Sequence, residues 1–151
     1  MAIINGYCAL SELKTYIGLS GSGQDDNLEN AINGASREID AFTGRFFYQE
    51  SATDKYFTPI SQYEIDVPDI STTTSLVVKT DTTDNGTHDT TLTINTDFVT
   101  KPFDAGNEVN GLQYQPITNI TILDRRSSER FEPSIVKNIK ITAKWGFSTV
   151  P

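Results

Sequence analysis

A chain of 151 residues with 36% hydrophobic, 10% aromatic and 21% charged residues fits one globular domain and is not collagen-like, coiled-coil or strongly disordered. No stretch reaches the roughly 20 apolar residues that cross a bilayer, and Met1 to Leu10 lacks a basic-then-apolar export signal, so a soluble, unexported protein is expected. The net charge of −8 splits into three bases against seven acids over 1–50, three against ten over 51–110, and six against three over 111–151. That balance disfavours tight wrapping of nucleic acid but leaves the basic last third free to meet an acidic partner.

The first fifty residues carry helical signals. Ser11 is placed to cap a short helix over Glu12 to Ile17, with Gly18 at its stop. Leu19 to Gln24 reads as a flexible connector, and Asp26 with Glu29 then forms an Asp variant of the capping box. The second helix carries Leu28, Ile32, Ala35, Ile39 and Phe42 at spacings of four, three, four and three, a single apolar stripe that predicts docking onto the β-region. Gly34 inside this helix marks either a close contact or a tolerated weak point, and Gly44 ends it.

From about Thr53 the period changes to alternation. Extended pieces are predicted at Lys55 to Thr58, Tyr63 to Val67 and Ser75 to Thr80. Ser75 to Thr80 and Thr90 to Asn95 flank a loop containing Asn85-Gly86, the usual signal of a hairpin. Lys101 to Pro116, with two Pro and two Gly, reads as a long surface loop. Ile117 to Leu123 is predicted to form a second hairpin with the last strand, in which Ile135, Ile139, Ile141, Ala143, Trp145 and Phe147 face one way and Asn138, Lys140, Thr142 and Lys144 the other.

Little here suggests turnover chemistry. Cys8 and His88 are the only residues of their kinds; a nucleophile needs a base and an orienting group, and zinc needs four ligands. No catalytic residue, cofactor site or metal site is therefore predicted. Asp81 to Asp89 looks superficially like a calcium loop, but the twelfth position is Leu92 where a bidentate Glu is required, so a polar turn is expected. Glu64, Asp66 and Asp69 are read as an acidic surface cluster. Gly21-Ser22-Gly23 lacks the Lys and the preceding strand of a phosphate loop. Arg125, Arg126 and Arg130 form the only concentrated basic group; they are either a solvated hairpin tip or a contact with an acidic partner.

Glu12-Leu13-Lys14 with Tyr16-Ile17-Gly18, then Asp25-Asp26 with Leu28, then Ala35-Ser36-Arg37, Ile39-Asp40 and Thr43-Gly44-Arg45-Phe46-Phe47 resembles the opening of the tailed-bacteriophage head–tail connector (adaptor) family. Trp145-Gly146-Phe147 followed by Val150-Pro151 is similar to a strand ending in longer members. The resemblance implies a structural virion protein: a ring of twelve copies in the virion neck, assembled in the host cytoplasm, that joins the portal protein to the tail or stopper protein and lets DNA pass through its lumen. Longer members continue into a portal-docking C-terminal helix, which this chain is expected to lack.

The expected fold is α+β, a short N-terminal helical hairpin packed on a mostly antiparallel β-region with two hairpins. A single domain over 1–151 is predicted, helical over 1–48 and β-rich over 53–151. The competing reading is a β-rich binding module for carbohydrate or a surface protein, with Tyr63 and Tyr114 as candidate sugar-stacking aromatics; an enzyme is the third.

Overall fold

The computed structural model describes residues 2–103 and 115–147. The chain forms two compact units, one built on Met1–Gln49 and one on Glu50–Phe147. The fold class is α+β: two helices followed by two antiparallel sheets.

In the first unit, α1 spans Leu10–Ile17 and α2 spans Asp25–Thr43. Neither expected cap is used. At α1 the Glu12 carboxylate reaches back to accept the Ala9 backbone N–H at 2.9 Å, which places Ser11 inside the helix. At α2 Gln24 is the cap residue, and Asp26 lies in the first turn, where its charge suits the helix dipole. Both helices stop at the predicted glycines, Gly18 and Gly44. The connector is tied by Lys14, whose Nζ sits 2.6 Å from Asp25 Oδ1 and donates to the Gly21 carbonyl.

The apolar stripe of α2 is not buried as predicted. Its covered side is Ile32, Ser36 and Asp40, while Ile39 is 45% and Phe42 93% exposed. What covers α2 is the extended segment before α1: Ile4 N–H donates to Asn33 Oδ1 and Tyr7 N–H to Ser36 Oγ. That segment approaches closely at Gly6, where a Cβ would stand 2.4 Å from Ile3 Cγ2 and 2.8 Å from Ile32 Cγ2. At Gly34, by contrast, a Cβ meets nothing within 4 Å, so this glycine makes no close contact.

The second unit contains β1 (Thr53–Phe57), β2 (Glu64–Ile70), β3 (Val77–Thr80), β4 (Thr90–Leu92), β5 (Phe98–Lys101), β6 (Ile117–Ile122) and β7 (Ile139–Ala143). One sheet has the order β1-β7-β3-β4 and the other β2-β6-β5. Their inner faces share one core, which draws Ile65, Val67 and Ile70 from β2, Ile117, Ile120 and Ile122 from β6, and Ile139, Ile141 and Ala143 from β7. Trp145 is buried as predicted; its Nε1 donates to the Thr53 carbonyl at 2.9 Å, and Lys55 Nζ lies 4.4 Å from the ring centre. β2 continues past the predicted end at Val67 to Ile70 because it is an edge strand, where Pro68 need donate no ladder bond, and a register shift between Asp66 and Ile70 returns Ile70 to the core.

The β3–β4 hairpin forms around Asn85-Gly86, with Val78 opposite Leu92 and Thr80 opposite Thr90. The other hairpin is β5–β6, not the predicted pairing of Ile117–Leu123 with the last strand. β6 joins β2 and β5 in one sheet, while β7 lies between β1 and β3 in the other. The segment between β6 and β7 crosses from sheet to sheet. Most of the long loop predicted from Lys101 to Pro116, with Tyr114, and the closing Val150-Pro151 lie outside the described residues.

The two α-unit glycines are predicted to respond with opposite signs. Gly6→Ala should cost about 1 to 3 kcal/mol, since two branched side chains would have to move. Gly34→Ala should stabilise by about 0.4 to 1 kcal/mol by helix propensity alone. Urea unfolding of the two variants and the parent checks both signs.

Candidate functional site

Several of the residues that carry the family resemblance converge on one clamp within the first unit. The Tyr7 hydroxyl donates to Asp40 Oδ1 and accepts the Phe47 N–H at 2.9 Å. Arg37 places Nε 2.9 Å from Asp40 Oδ2, donates to the Asn5 carbonyl, and stacks over the Tyr48 and Tyr7 rings at 5.1 and 5.7 Å. Burial first, and the bond to Asp40 second, raise the Tyr7 hydroxyl above a tyrosine's ordinary value. Ser36 completes the clamp by accepting Tyr7 N–H while donating to the Ile32 carbonyl at 2.7 Å. The Ser36, Arg37 and Asp40 of the pattern thus hold the N-terminal segment on α2. Tyr7 is their central partner, and no local motif marks it because it lies some thirty residues upstream.

The clamp leaves an apolar groove beside it. Cys8, Leu13, Ala31, Ile32, Ala35 and Ile39 line a hollow of about 350 Å³, to which the α2 stripe contributes Ile32, Ala35 and Ile39. A stripe this apolar on a charged chain is the kind of surface that another protein surface covers.

The three arginines do not act as one patch. Arg130 is spent locally: its guanidinium pairs with Asp124, donates to the Ser127 and Glu129 carbonyls, and lies 5.3 Å from the Tyr63 ring centre. Arg125 and Arg126 are exposed at the turn and make no ion pair among the described residues. The candidate contact therefore narrows to these two. The Tyr63 face considered for sugar stacking is taken by Arg130.

The other sequence candidates are engaged separately. Asp81 is almost fully buried, and its carboxylate accepts the N–H groups of Thr83, Asn85 and Gly86, which closes the loop on its own acid. Burial raises its pKa, but those backbone donors together outweigh burial and hold it below the usual 3.8. His88 Nε2 lies 2.9 Å from the Lys137 carbonyl, which can only accept, so this nitrogen carries the proton. Tyr56, Asp81, His88 and Lys137 border a cleft of about 280 Å³. Cys8 belongs to the other unit and donates to the Ala9 carbonyl. Glu64 pairs with Lys101, and Asp66 accepts from Asn119 at 2.8 Å. No cluster of three or more potential metal ligands occurs among the described residues, and none of their helices is long and apolar enough to cross a membrane. No protein-family model, curated protein or solved structure matches the chain.

Acid should loosen the β-unit. Asp97 is lowered by Ser127 and then by the Thr93 N–H, and Asp54 by Lys140 and then by Thr142. With Asp81 these carboxyls have folded pKa values below their unfolded ones, so their contribution is complete above about pH 5 and is lost as pH falls through the folded values. The thermal midpoint is expected to hold level from about pH 7 to 5 and to drop below about pH 4. Asp81→Asn with Asp97→Asn should make that drop shallower.

Proposed function

We propose that the chain is a ring-forming structural subunit, a head–tail connector of a phage virion neck that joins portal to tail or stopper protein while DNA passes through the lumen. The observation that carries this reading is the open apolar stripe of α2. A Phe that is 93% exposed at the end of an amphipathic helix is costly in an isolated chain and useful in one whose neighbours cover it. The head–tail connector resemblance supports the same reading, since its pattern residues build the clamp that fixes α2's open side. The net charge of −8 suits a lumen through which a polyanion must slide without being gripped. The ring of twelve copies follows from the resemblance alone.

Two measurements test the reading. The chain is expected to copurify with intact virions at the neck and to reach the mass of a closed oligomer there. Absence from particles, together with a monomer at every concentration, would sink it. Phe42→Ala is expected to leave unfolding within about 0.5 kcal/mol of the parent while weakening assembly, because that ring is 93% exposed among the described residues.

Arg125→Ala with Arg126→Ala should leave folding unchanged, slow the association of subunits with purified heads, and flatten the dependence of that rate on salt, since rim charges mainly steer encounter. Equal rates for mutant and parent at low and high salt would remove these arginines as a contact without touching the connector reading.

A further inference from the structure

We propose that the cleft bordered by β1, the β3–β4 loop and the turn before β7 binds a neutral sugar ring, an activity of the β-unit that does not depend on the ring-subunit reading. The cleft measures about 280 Å³, and its walls include Tyr56, the loop residues Asp81, Asp84 and His88, and Val136 with Lys137. Those walls are already fixed. His88 Nε2 donates to the Lys137 carbonyl at 2.9 Å, Lys137 N–H donates to Thr58 Oγ1 at 2.8 Å, and Asp81 N–H donates to the Asn138 carbonyl at 2.8 Å. The Tyr56 and His88 ring centres lie 5.4 Å apart. A cleft ordered before its ligand arrives loses little freedom on binding.

The polar groups left over on these walls choose the ligand. The Asp84 carboxylate, the Lys137 ammonium and the Tyr56 hydroxyl have no hydrogen-bond partner among the described residues. His88 carries its proton on Nε2, so its Nδ1 is a bare acceptor. Asp81 adds a second carboxylate, but that one is turned to the Thr83, Asn85 and Gly86 N–H groups. The charges that remain, at Asp84 and Lys137, are of opposite sign, so a free anion meets one like charge and a free cation the other. Apolar surface comes from the half-exposed Tyr56 ring and from Val136, which is 75% exposed. Donors, acceptors and an apolar patch within one small cavity suit an uncharged ring of hydroxyls with a C–H face, which is a pyranose. Tyr56 thus takes the stacking role that Arg130 denies to Tyr63.

The test titrates the full isotope-labelled chain with the methyl pyranosides of glucose, galactose and mannose and follows the backbone amides by NMR. At least one of the three is expected to saturate with a Kd of about 1 to 10 mM, shifting Tyr56, Gly86, His88 and Lys137 and leaving the α2 amides unmoved. Tyr56→Thr keeps a strand-forming residue, and Asp84→Gly keeps the left-handed backbone at φ 56°. Each should weaken that binding about fivefold or more with unfolding unchanged. Tyr16→Ala, which removes an 89% exposed ring from α1, should bind as the parent does. Glucosamine and glucuronate should both bind more weakly than the best of the neutral sugars. Tighter binding of either would make the cleft an ion site and overturn the proposal. So would the absence of a saturable shift for all three pyranosides at about 100 mM, or parent-like binding by both cleft variants. The ring-subunit reading stands or falls separately, on assembly.

Discussion

The fold of the larger unit depends on covering β7 on both edges and on its inner face. Ile139, Ile141 and Ala143 are fully buried in that strand, so its backbone groups need partners that water cannot supply. β1 and β3 provide them, with Lys55 and Val78 both aligned to Ile141 from opposite sides. β2 cannot join the same sheet but is stitched to the end of β7: Ser71 N–H donates to the Lys144 carbonyl and Gly146 N–H to the Asp69 carbonyl. The second sheet is thereby fixed against the first. Asn138, just before β7 and fully buried, extends this order into the loops by donating to the Asp81 carbonyl and accepting the Glu132 N–H.

Much of this was legible in the sequence where the determinants are local. Spacing located both helices, glycines marked their ends, Asn85-Gly86 marked a real hairpin, and alternation exposed β7 with Trp145 in the core. The failures are non-local. β5 has only Phe98 and Val99 as apolar residues and exists because β6 offers an edge, which a four-residue pattern cannot announce. The pairing of β6 with β2 and not β7 was likewise hidden, since adjacency in sequence is only a weak guide once a crossing segment of some sixteen residues intervenes.

The misplaced stripe of α2 teaches a different point. Periodicity reports which side chains are apolar, not what covers them. The polar residues Ser36 and Asp40 are buried because Tyr7 satisfies them, while Phe42 is left in the open. The recognisable Ser/Arg/Asp pattern and the open apolar face are therefore neighbours with separate duties. One fixes the N-terminal segment on the helix; the other is what that arrangement leaves uncovered. A similar division holds in the segment that crosses from β6 to β7, where Arg130 organises the turn and Arg125 and Arg126 project from it.

The loop closed on Asp81 has a consequence for how this sequence can drift. Its shape is specified by one carboxylate at its start and by left-handed backbone at Asp84 and Gly86, while the side chains of Thr82, Thr83 and Asn85 all lie at the surface. Thr82 and Thr83 are open to exchange, since the short anchoring bond at Thr83 runs to its backbone, whereas Asn85 is less so because its Oδ1 accepts the Thr87 N–H at 2.7 Å. Position 81 has no such latitude, because every alternative short of another acceptor would leave the Thr83, Asn85 and Gly86 N–H groups without this partner. The hairpin tip can thus diversify rapidly in composition at constant shape, a variable surface carried on an invariant wire.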